Sequence, residues 1–304
     1  MDLVKLTGAT KDYIWGGDKL KSWGKKALTP TIAESWELSF NEDGPSLIAS
    51  GPFAGKALKD VATRNDIGSV PASFRFFPVL IKLIDAAENL SVQVHPSDAY
   101  ALAHEGQYGK TEMWYVIEAK PHAGLYVGFR RAVSEDEVRQ AIQQDTVMDL
   151  LSFYEVRPGD VFFIPAGTVH AIGKGVTLLE IQQNSTLTYR LYDFGRLGKD
   201  GQPRPLHVEK ALQVLNFQPY QAPRFKKPLL GRSAYFSSSL HVLNGEETLV
   251  SDSLSFKSLT FVSPSEGDFG GLPFQEGDTF FLPASKKAVM KGRGVYVLTE
   301  VRKW

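Results

Sequence analysis

The residues of this chain best suited to chemistry are two histidines, a glutamate and a glutamine, placed in three separate segments. Gln93 and His95 lie two positions apart in an apolar run, so a β-strand would project both from the same face. Glu112 begins a second strand-like segment, and His170 ends a third, which opens with a Gly-Asp turn at residues 159–160. Two imidazoles, a carboxylate and an amide oxygen suit a divalent metal and leave positions for water or substrate. The sequence therefore predicts an open metal site.

The composition restricts what else this chain could bind. Its 304 residues are 43% hydrophobic, which is enough to form one large domain or two smaller ones. The 34 basic residues balance 34 acidic ones, so we expect no binding to nucleic acid or to a membrane. There is no cysteine, so a metal must bind to histidine, carboxylate, amide or water. Without a signal-like or membrane-spanning apolar run, we expect a cytoplasmic protein.

The spacing of apolar residues predicts an all-β fold. The chain has 27 glycines and 17 prolines, which separate many short runs of aromatic and β-branched residues, as expected of strands joined by turns. Helical spacing occurs mainly in residues 97–105, 133–152 and 207–215, which we interpret as insertions or connections. Because the predicted strands greatly outnumber the predicted helices, the pattern favours a barrel or sandwich over alternating βαβ units.

A repeated segment predicts two similar β units. Residues 156–166 recur as residues 274–284, and each copy has a Gly-Asp turn, an apolar strand and a Pro-Ala ending. The position of His170 is taken by Ala288 in the second copy, and the C-terminal unit has no Gln-x-His pair. We therefore expect metal binding in the first unit alone.

Several motifs, in order along the chain, resemble a known family. Residues 159–170, with a Gly-Asp turn, an apolar run, Pro-Ala-Gly and a final His, are similar to the cupin superfamily of small double-stranded β-barrels. Six segments together resemble the type I mannose-6-phosphate isomerases, in particular the short bacterial form. These segments are residues 14–17, 34–39, 80–85, 91–96, 109–115 and 180–193. The match extends from about residue 12 to residue 210 and is weaker beyond.

The resemblance implies two cupin-like barrels of the double-stranded β-helix, or jelly-roll, type. We expect a catalytic metal-binding unit over residues 1–222, with helical insertions at about 97–105 and 133–152. A smaller C-terminal unit without metal ligands would cover residues 223–304. The segment 217–228, which contains three prolines, is typical of a linker near this boundary.

The resemblance also implies an activity, the reversible interconversion of mannose 6-phosphate and fructose 6-phosphate with one zinc ion per chain. The family's metal ligands correspond to Gln93, His95, Glu112 and His170, which are the residues already grouped above. Because Gln93 is neutral, a dication on this set keeps a net positive charge, which favours an anionic enediolate intermediate. This family commonly has an acidic residue where Thr186 stands, so the role proposed for that acid has no counterpart here.

Three residues are candidates for the catalytic steps. Lys110 precedes Glu112 by two positions, so strand alternation places it beside the metal as an acid or base. Arg190 is a permanent planar cation that suits the enediolate or the phosphate. Glu180 is the alternative candidate for proton transfer. We expect Arg190 to be essential.

Two further residues are candidates for binding the phosphate of the substrate. Ser91 shares its strand face with Gln93 and His95, and Lys82 is a cation inside an otherwise apolar strand. A lysine in such a strand often extends to solvent instead, which leaves Lys82 open to a structural role.

Two other functions use the same scaffold. A cupin oxidoreductase with Fe(II) and dioxygen would favour a site dominated by histidine, and Gln93 argues against it. A non-catalytic sugar-phosphate sensor would not need Lys110 and Arg190. The predicted partner is a small-molecule sugar phosphate, and we expect a monomer or a weak homo-oligomer.

Overall fold

The computed structural model describes residues 1–303, and its regular structure is mostly β, as the sequence predicts. The strands of these residues are β1 (Val4–Thr7), β2 (Ala9–Lys11), β3 (Glu34–Leu38), β4 (Leu47–Ile48), β5 (Val79–Ala86), β6 (Val92–Val94), β7 (Glu112–Ala119), β8 (Gly124–Phe129), β9 (Leu151–Glu155), β10 (Val161–Ile164), β11 (His170–Ile172), β12 (Val176–Gln183), β13 (Tyr189–Tyr192), β14 (Leu229–Arg232), β15 (Ser237–Val250), β16 (Lys257–Phe261), β17 (Glu266–Phe269), β18 (Leu272–Gln275), β19 (Thr279–Leu282) and β20 (Lys287–Glu300). The α-helices are α1 (Lys19–Ser22), α2 (Leu58–Val61), α3 (Arg64–Ile67), α4 (Asp98–His104), α5 (Glu135–Gln143) and α6 (Val208–Val214), and short 3-10 turns occupy Pro71–Ser73 and Val147–Leu150.

Within residues 1–303 the strands form three sheets, and each strand pairs antiparallel with its neighbours. A six-stranded sheet has the order β10-β7-β12-β5-β3-β2, and a five-stranded sheet has the order β13-β6-β11-β8-β9. The third sheet runs β14-β15-β20-β16-β19-β1-β4, with the hairpin β17–β18 attached to β20. The first two sheets position the predicted metal ligands. The third sheet combines C-terminal strands with β1 and β4 from the start of the chain.

The repeated segment forms the same local structure twice. In the first copy, the Asp160 carboxylate accepts a hydrogen bond of 2.8 Å from the backbone N–H of Arg157, and β10 follows. In the second copy, Asp278 accepts the equivalent 2.8 Å bond from Gln275, and β19 follows. The glycine before each aspartate has a positive φ, 91° and 82°, which a side chain would disfavour. The Gly-Asp signal therefore indicates a defined turn at both positions.

The helices differ in part from the sequence-based prediction. Helices α4 and α6 lie where the spacing predicts them, but the helix predicted over 133–152 is too long. Ser134 caps α5 by accepting a 3.1 Å hydrogen bond from Glu137 N–H, and the helix ends at Gln143. Asp145 then adopts a positive φ of 58°, and β9 begins at Leu151. No helix in the described part of the chain has the length and apolar character needed to cross a membrane.

The six-stranded sheet has one apolar face and one face that carries charged residues. On its central strand β12, Leu179 and Ile181 pack with Leu83 and Met113 in the largest hydrophobic core. The alternate residues of β12 point to the opposite face, where Glu180 is buried. Packing on the apolar face therefore holds the strands whose other face builds the candidate site.

This arrangement predicts a difference between two chemically identical substitutions. Leu179→Ala should lower the free energy of unfolding by about 2–5 kcal/mol, because it removes a fully buried side chain and leaves a cavity. Leu28→Ala removes the same atoms from a fully exposed side chain and should change it by less than about 0.5 kcal/mol. Chemical denaturation followed by tryptophan fluorescence measures both. Similar losses in the two variants would contradict the core assignment.

Candidate active site

The five-stranded sheet places three of the predicted residues side by side. Gln93 on β6 is paired directly with Arg190 on β13 and with His170 on β11. Directly opposed residues of antiparallel strands project from the same face, so the register brings these side chains into one row. His95 follows β6 and shares the alternation of Gln93.

The six-stranded sheet supplies a second row from its polar face. Glu180 on β12 is paired with Trp114 on β7 and with Lys82 on β5, and Lys82 is paired with Trp36 on β3. Glu112, two residues before Trp114, begins β7 and therefore belongs to the same face. The two rows meet where Glu112 approaches the histidines.

The fold brings together the predicted ligands His95, Glu112 and His170. They lie just after β6, at the start of β7 and at the start of β11. Nε2 of His170 lies 3.2 Å from Oε1 of Glu112, and Nε2 of His95 lies 3.6 Å from Oε2 of the same carboxylate. Each residue offers one ligand atom, and these atoms all lie within 4.8 Å of one another. All three side chains are buried. This cluster of nitrogen and oxygen atoms is a candidate site for a metal ion.

Hydrogen bonds to the backbone orient both imidazoles toward this point. Nδ1 of His95 is 2.8 Å from the Leu187 carbonyl oxygen, and Nδ1 of His170 is 2.8 Å from that of Thr168. Each Nδ1–H donates to its carbonyl, so each Nε2 carries the lone pair, and neither Nε2 has a hydrogen-bond partner among residues 1–303. Burial lowers the pKa of His170 to about 4, and burial together with the charge of Lys110 lowers the pKa of His95 well below its ordinary value. Neutral imidazoles with free lone pairs are suited to bind a metal.

The chemistry of Glu112 fits a cation in the same place. Burial raises the pKa of Glu112, because an ionised carboxylate loses its hydration there. Two neutral imidazoles do not compensate its charge, and Lys110 Nζ contacts only one side of the group, at 2.9 Å from Oε2. A divalent ion between Glu112 and the histidines would supply the missing positive charge. The donor set present therefore fits a metal.

Gln182, which is not among the residues predicted from the sequence, also lies beside these groups. It is paired with Glu112 across β7 and β12 and is fully buried. Its amide nitrogen donates to the carbonyl oxygens of Gln183 and Ser185, at 2.7 and 2.8 Å, while its Oε1 has no hydrogen-bond partner in the described residues. The sequence does contain a signal for Gln182, because it alternates with Glu180 within an otherwise apolar strand and must therefore share the face of Glu180.

A network of alternating charges extends from the ligand cluster along the polar face. Lys110 Nζ lies between Glu112, at 2.9 Å, and Oε1 of Glu180, at 3.6 Å. Trp114 donates a 3.1 Å hydrogen bond from Nε1 to the other oxygen of Glu180. Burial acts to raise the pKa of Glu180, but the ammonium groups of Lys110 and Lys82 outweigh it and hold this pKa below its ordinary value. Glu180 is therefore ionised.

Lys82 continues the network away from the ligands. Its Nζ lies 3.3 Å from Oε1 of Glu180 and 3.5 Å from Oε2 of Glu34, and Trp36 Nε1 donates a 2.6 Å hydrogen bond to Glu34. Burial acts to lower the pKa of Lys82, but the surrounding carboxylates raise it above its ordinary value. Glu34 was not selected from the sequence, because only the strand register shows that it faces Lys82.

A pocket of about 570 Å³ opens over this arrangement. Its lining contains the predicted ligand Gln93 and all five candidate catalytic and phosphate-binding residues, Lys82, Ser91, Lys110, Glu180 and Arg190. Thr186 also lines the pocket and is exposed. These six predicted residues come from separate segments of the sequence and surround a single cavity.

Arg190 has little internal bonding for a partly buried cation. Its Nη1 donates a 2.8 Å hydrogen bond to the carbonyl oxygen of Pro205. Its Nε is buried and has no partner within residues 1–303. Burial and the neighbouring Arg204 lower the pKa of Arg190 from its high ordinary value. This guanidinium is therefore available to an anionic group in the pocket.

A mostly β fold with a buried His, Glu and His cluster beneath a polar pocket is compatible with a cupin-like fold that carries a candidate metal site. Residues 3–127 match the family model described as phosphomannose isomerase type I, catalytic domain. The chain is 35% identical over 291 residues to the mannose-6-phosphate isomerase ManA of Bacillus subtilis, covering 90% of each chain. It is 44% identical over 205 residues to the mannose-6-phosphate isomerase of Streptococcus mutans, and this match covers 66% of this chain and 64% of that relative.

A solved structure agrees with these matches. The crystal structure of a mannose 6-phosphate isomerase from Bacillus subtilis superposes with a TM-score of 0.87 at 33% identity, covering 98% of this chain and 99% of that one. The chain therefore belongs to the type I mannose-6-phosphate isomerase family. The comparisons confirm the family predicted from the sequence, and with it the prediction of an aldose–ketose isomerase.

Proposed function

We propose that this chain interconverts mannose 6-phosphate and fructose 6-phosphate with the help of one bound zinc ion. The observation that carries the proposal is the convergence of two lone-pair nitrogens and a carboxylate next to a pocket lined by the candidate catalytic side chains. The ligands would be Gln93, His95, Glu112 and His170. Nitrogen and oxygen donors of this kind are typical of zinc sites that remain open to substrate. Gln93 fits because its strand register places it beside His170 and it lines the pocket.

The reaction moves a proton between two adjacent carbons of the sugar and another between their oxygens. The intermediate is an enediolate, so negative charge develops on oxygen. When bound, the metal supplies electrostatic stabilisation for that charge. The side chains of the pocket must therefore carry the protons, orient the sugar and add further positive charge.

Lys110 is the residue we assign to proton transfer. It lines the pocket beside the ligand cluster, where its amino group would accept a proton from one sugar carbon as the neutral amine and return it to the adjacent carbon from the ammonium form. Glu180 is the alternative, but one of its oxygens accepts the hydrogen bond from Trp114, and the other faces both Lys82 and Lys110. This geometry supports a role for Glu180 in orienting the lysines.

Metal removal tests the proposed function directly. Prolonged chelation should reduce the formation of fructose 6-phosphate from mannose 6-phosphate at least about 100-fold, and zinc added back should restore it. A coupled spectrophotometric assay measures the rate, and elemental analysis measures the metal. Full turnover by metal-free protein would contradict the proposal. Retention of turnover without oxygen would exclude the oxidoreductase, and full zinc occupancy without turnover would instead favour the sensor.

The division of the chain into two barrels is also part of this proposal. We propose a catalytic cupin-like barrel over residues 1–222 and a smaller one over 223–304, whose last residue, Trp304, lies outside the described residues. The equivalent turns before β10 and β19 support two related units. The pairing of β1 with β19 means that the N-terminal strand also takes part in the C-terminal sheet. The cytoplasmic location and the monomeric or weakly oligomeric state stay predictions.

A further inference from the structure

The pocket has an end that is poorly suited to the phosphate of a sugar phosphate. Lys82 is the cation that the sequence predicts to bind the phosphate there. Its Nζ lies between two carboxylates, 3.5 Å from Oε2 of Glu34 and 3.3 Å from Oε1 of Glu180. A phosphate placed against Lys82 would approach both negative groups. Like charges in a partly buried pocket repel strongly, because solvent screens them less than at the surface. The lysine is better described as part of the buried charge network.

The opposite end of the pocket contains an excess of positive charge. The carboxylate of Asp193 accepts two hydrogen bonds from Arg204, Nε to Oδ2 at 2.6 Å and Nη2 to Oδ1 at 2.5 Å. Arg196 Nη2 donates to the same Oδ1 at 2.5 Å. Arg190 stands close enough for both guanidinium groups to lower its pKa. Arg196 and Arg204 bind this carboxylate directly, and Arg190 lies near them without contacting it. The three guanidinium groups and the single carboxylate leave an excess of two positive charges.

That excess matches the charge of a phosphate monoester, which is about −1.5 to −2 at neutral pH. Arg204 and Arg190 line the pocket, together with the neutral hydroxyl side chains of Ser185, Thr186 and Thr188. Asp193 occupies one edge of the Arg204 guanidinium, and Nη1 of Arg204 has no hydrogen bond to any residue in the described range 1–303. A guanidinium held in this way presents its remaining donors in a fixed orientation, which suits a phosphate.

The strand register also places the arginine end of the pocket at a suitable distance from the metal-ligand cluster for a sugar phosphate to span both. Arg190, Gln93 and His170 occupy adjacent strands, so the backbone of Arg190 lies two strand spacings, roughly 10 Å, from that of His170. The reacting carbons of an aldose or ketose 6-phosphate are at the end of the chain remote from the phosphate. With these carbons near the histidines, the phosphate points toward the arginines.

We propose that Arg204 binds the phosphate of the substrate and that Asp193 is the positioning residue that holds its guanidinium toward the pocket. The inference rests on the proposed function, since it assigns one end of that substrate. Arg190 lies between the phosphate and the reacting carbons, and Arg196 adds charge behind the Asp193 carboxylate.

Steady-state kinetics of the full-length, metal-loaded enzyme tests this assignment. Arg204→Gln should raise the KM for mannose 6-phosphate roughly 10–100-fold, because a charge-assisted hydrogen bond is lost, while kcat changes much less. Inorganic phosphate, used as a competitive inhibitor, should show an equal rise in its inhibition constant. The matched control is Arg139→Gln on α5, which removes an arginine paired with Glu135 and Glu209 on the surface and should leave both constants unchanged.

The outcomes separate this proposal from the proposed function. An unchanged KM and an unchanged phosphate inhibition constant in folded Arg204→Gln overturn the phosphate assignment while the isomerase activity stands. Absence of mannose-6-phosphate turnover in the unaltered enzyme overturns the proposed function itself. In that case, calorimetry compares the binding of inorganic phosphate to the unaltered enzyme and to Arg204→Gln, and equal affinities overturn the phosphate assignment as well. If Arg204→Gln does not fold, Arg204→Lys keeps the charge beside Asp193 but loses the planar fork. A smaller rise in both constants is then expected, and unchanged constants overturn the proposal.

Discussion

His170→Ala is expected to abolish stoichiometric metal binding and to reduce isomerase activity about 10³-fold. The substitution removes one of the two lone-pair nitrogens that face Glu112, leaving the carboxylate with His95 alone on the imidazole side. Losing the bound ion costs several kcal/mol of stabilisation for the charge that develops in the transition state, which corresponds to at least this factor in rate. Elemental analysis of the purified variant and the coupled assay measure the two effects.

His104→Ala provides the matched control for this experiment. His104 lies at the end of α4, is exposed, and contacts the carbonyl oxygen of Tyr100 rather than the ligand cluster. Its replacement should leave metal content and rate unchanged. A circular dichroism melt of both variants checks that each is folded. If His170→Ala kept full metal occupancy and a normal rate, the assignment of the metal site would be wrong.

The proposed metal ligands could be selected from the sequence because they belong to recognisable local patterns. Gln93 and His95 are two positions apart in an apolar strand, and His170 ends a segment that begins with a recognisable turn. What the sequence could not show is which strands are neighbours. Glu34 reaches Lys82 only because β3 pairs with β5, and Gln182 lies beside Glu112 only because β12 pairs with β7. These pairings join residues that are distant in sequence.

The errors in the predicted elements have the same physical origin. Apolar residues at 147, 150 and 151 satisfy helical spacing, yet Leu151 belongs to a strand that pairs with β8. Short apolar runs do not distinguish a helix from a strand when tertiary pairing decides between them. Strand β1 likewise pairs with β19, at the opposite end of the chain, and no local pattern records that contact.

The electrostatic environment of a residue was harder to predict than its position. Lys82 does line the pocket, as expected, but its ammonium is shared by two carboxylates from neighbouring strands. Arg204 was not selected from the sequence, because it follows β13 in a segment without strand or helix spacing. Its relevance depends on a bidentate contact with Asp193 that only the folded chain shows.

Arg190→Ala is expected to reduce kcat roughly 10²–10³-fold while the enzyme keeps its metal. The guanidinium lines the pocket beside Gln93 and has a buried Nε without a partner among residues 1–303, so it can donate to the charge that develops on the substrate oxygens. Removing one preorganised donor from such a position typically costs this factor. Arg190 is not among the proposed ligands, so elemental analysis should find normal metal content.

Two further variants make the Arg190 result specific. Arg131→Ala removes an exposed arginine that pairs with Glu137, and its kcat should stay at the level of the unaltered enzyme. Arg190→Lys keeps a positive charge but loses the planar fork, so its kcat should fall between those of Arg190→Ala and the unaltered enzyme. A normal rate in Arg190→Ala would show that lysines and metal suffice for the enediolate. A loss of metal in that variant would mean that Arg190 supports the ligand cluster instead, because its strand neighbour Gln93 is one of the proposed ligands.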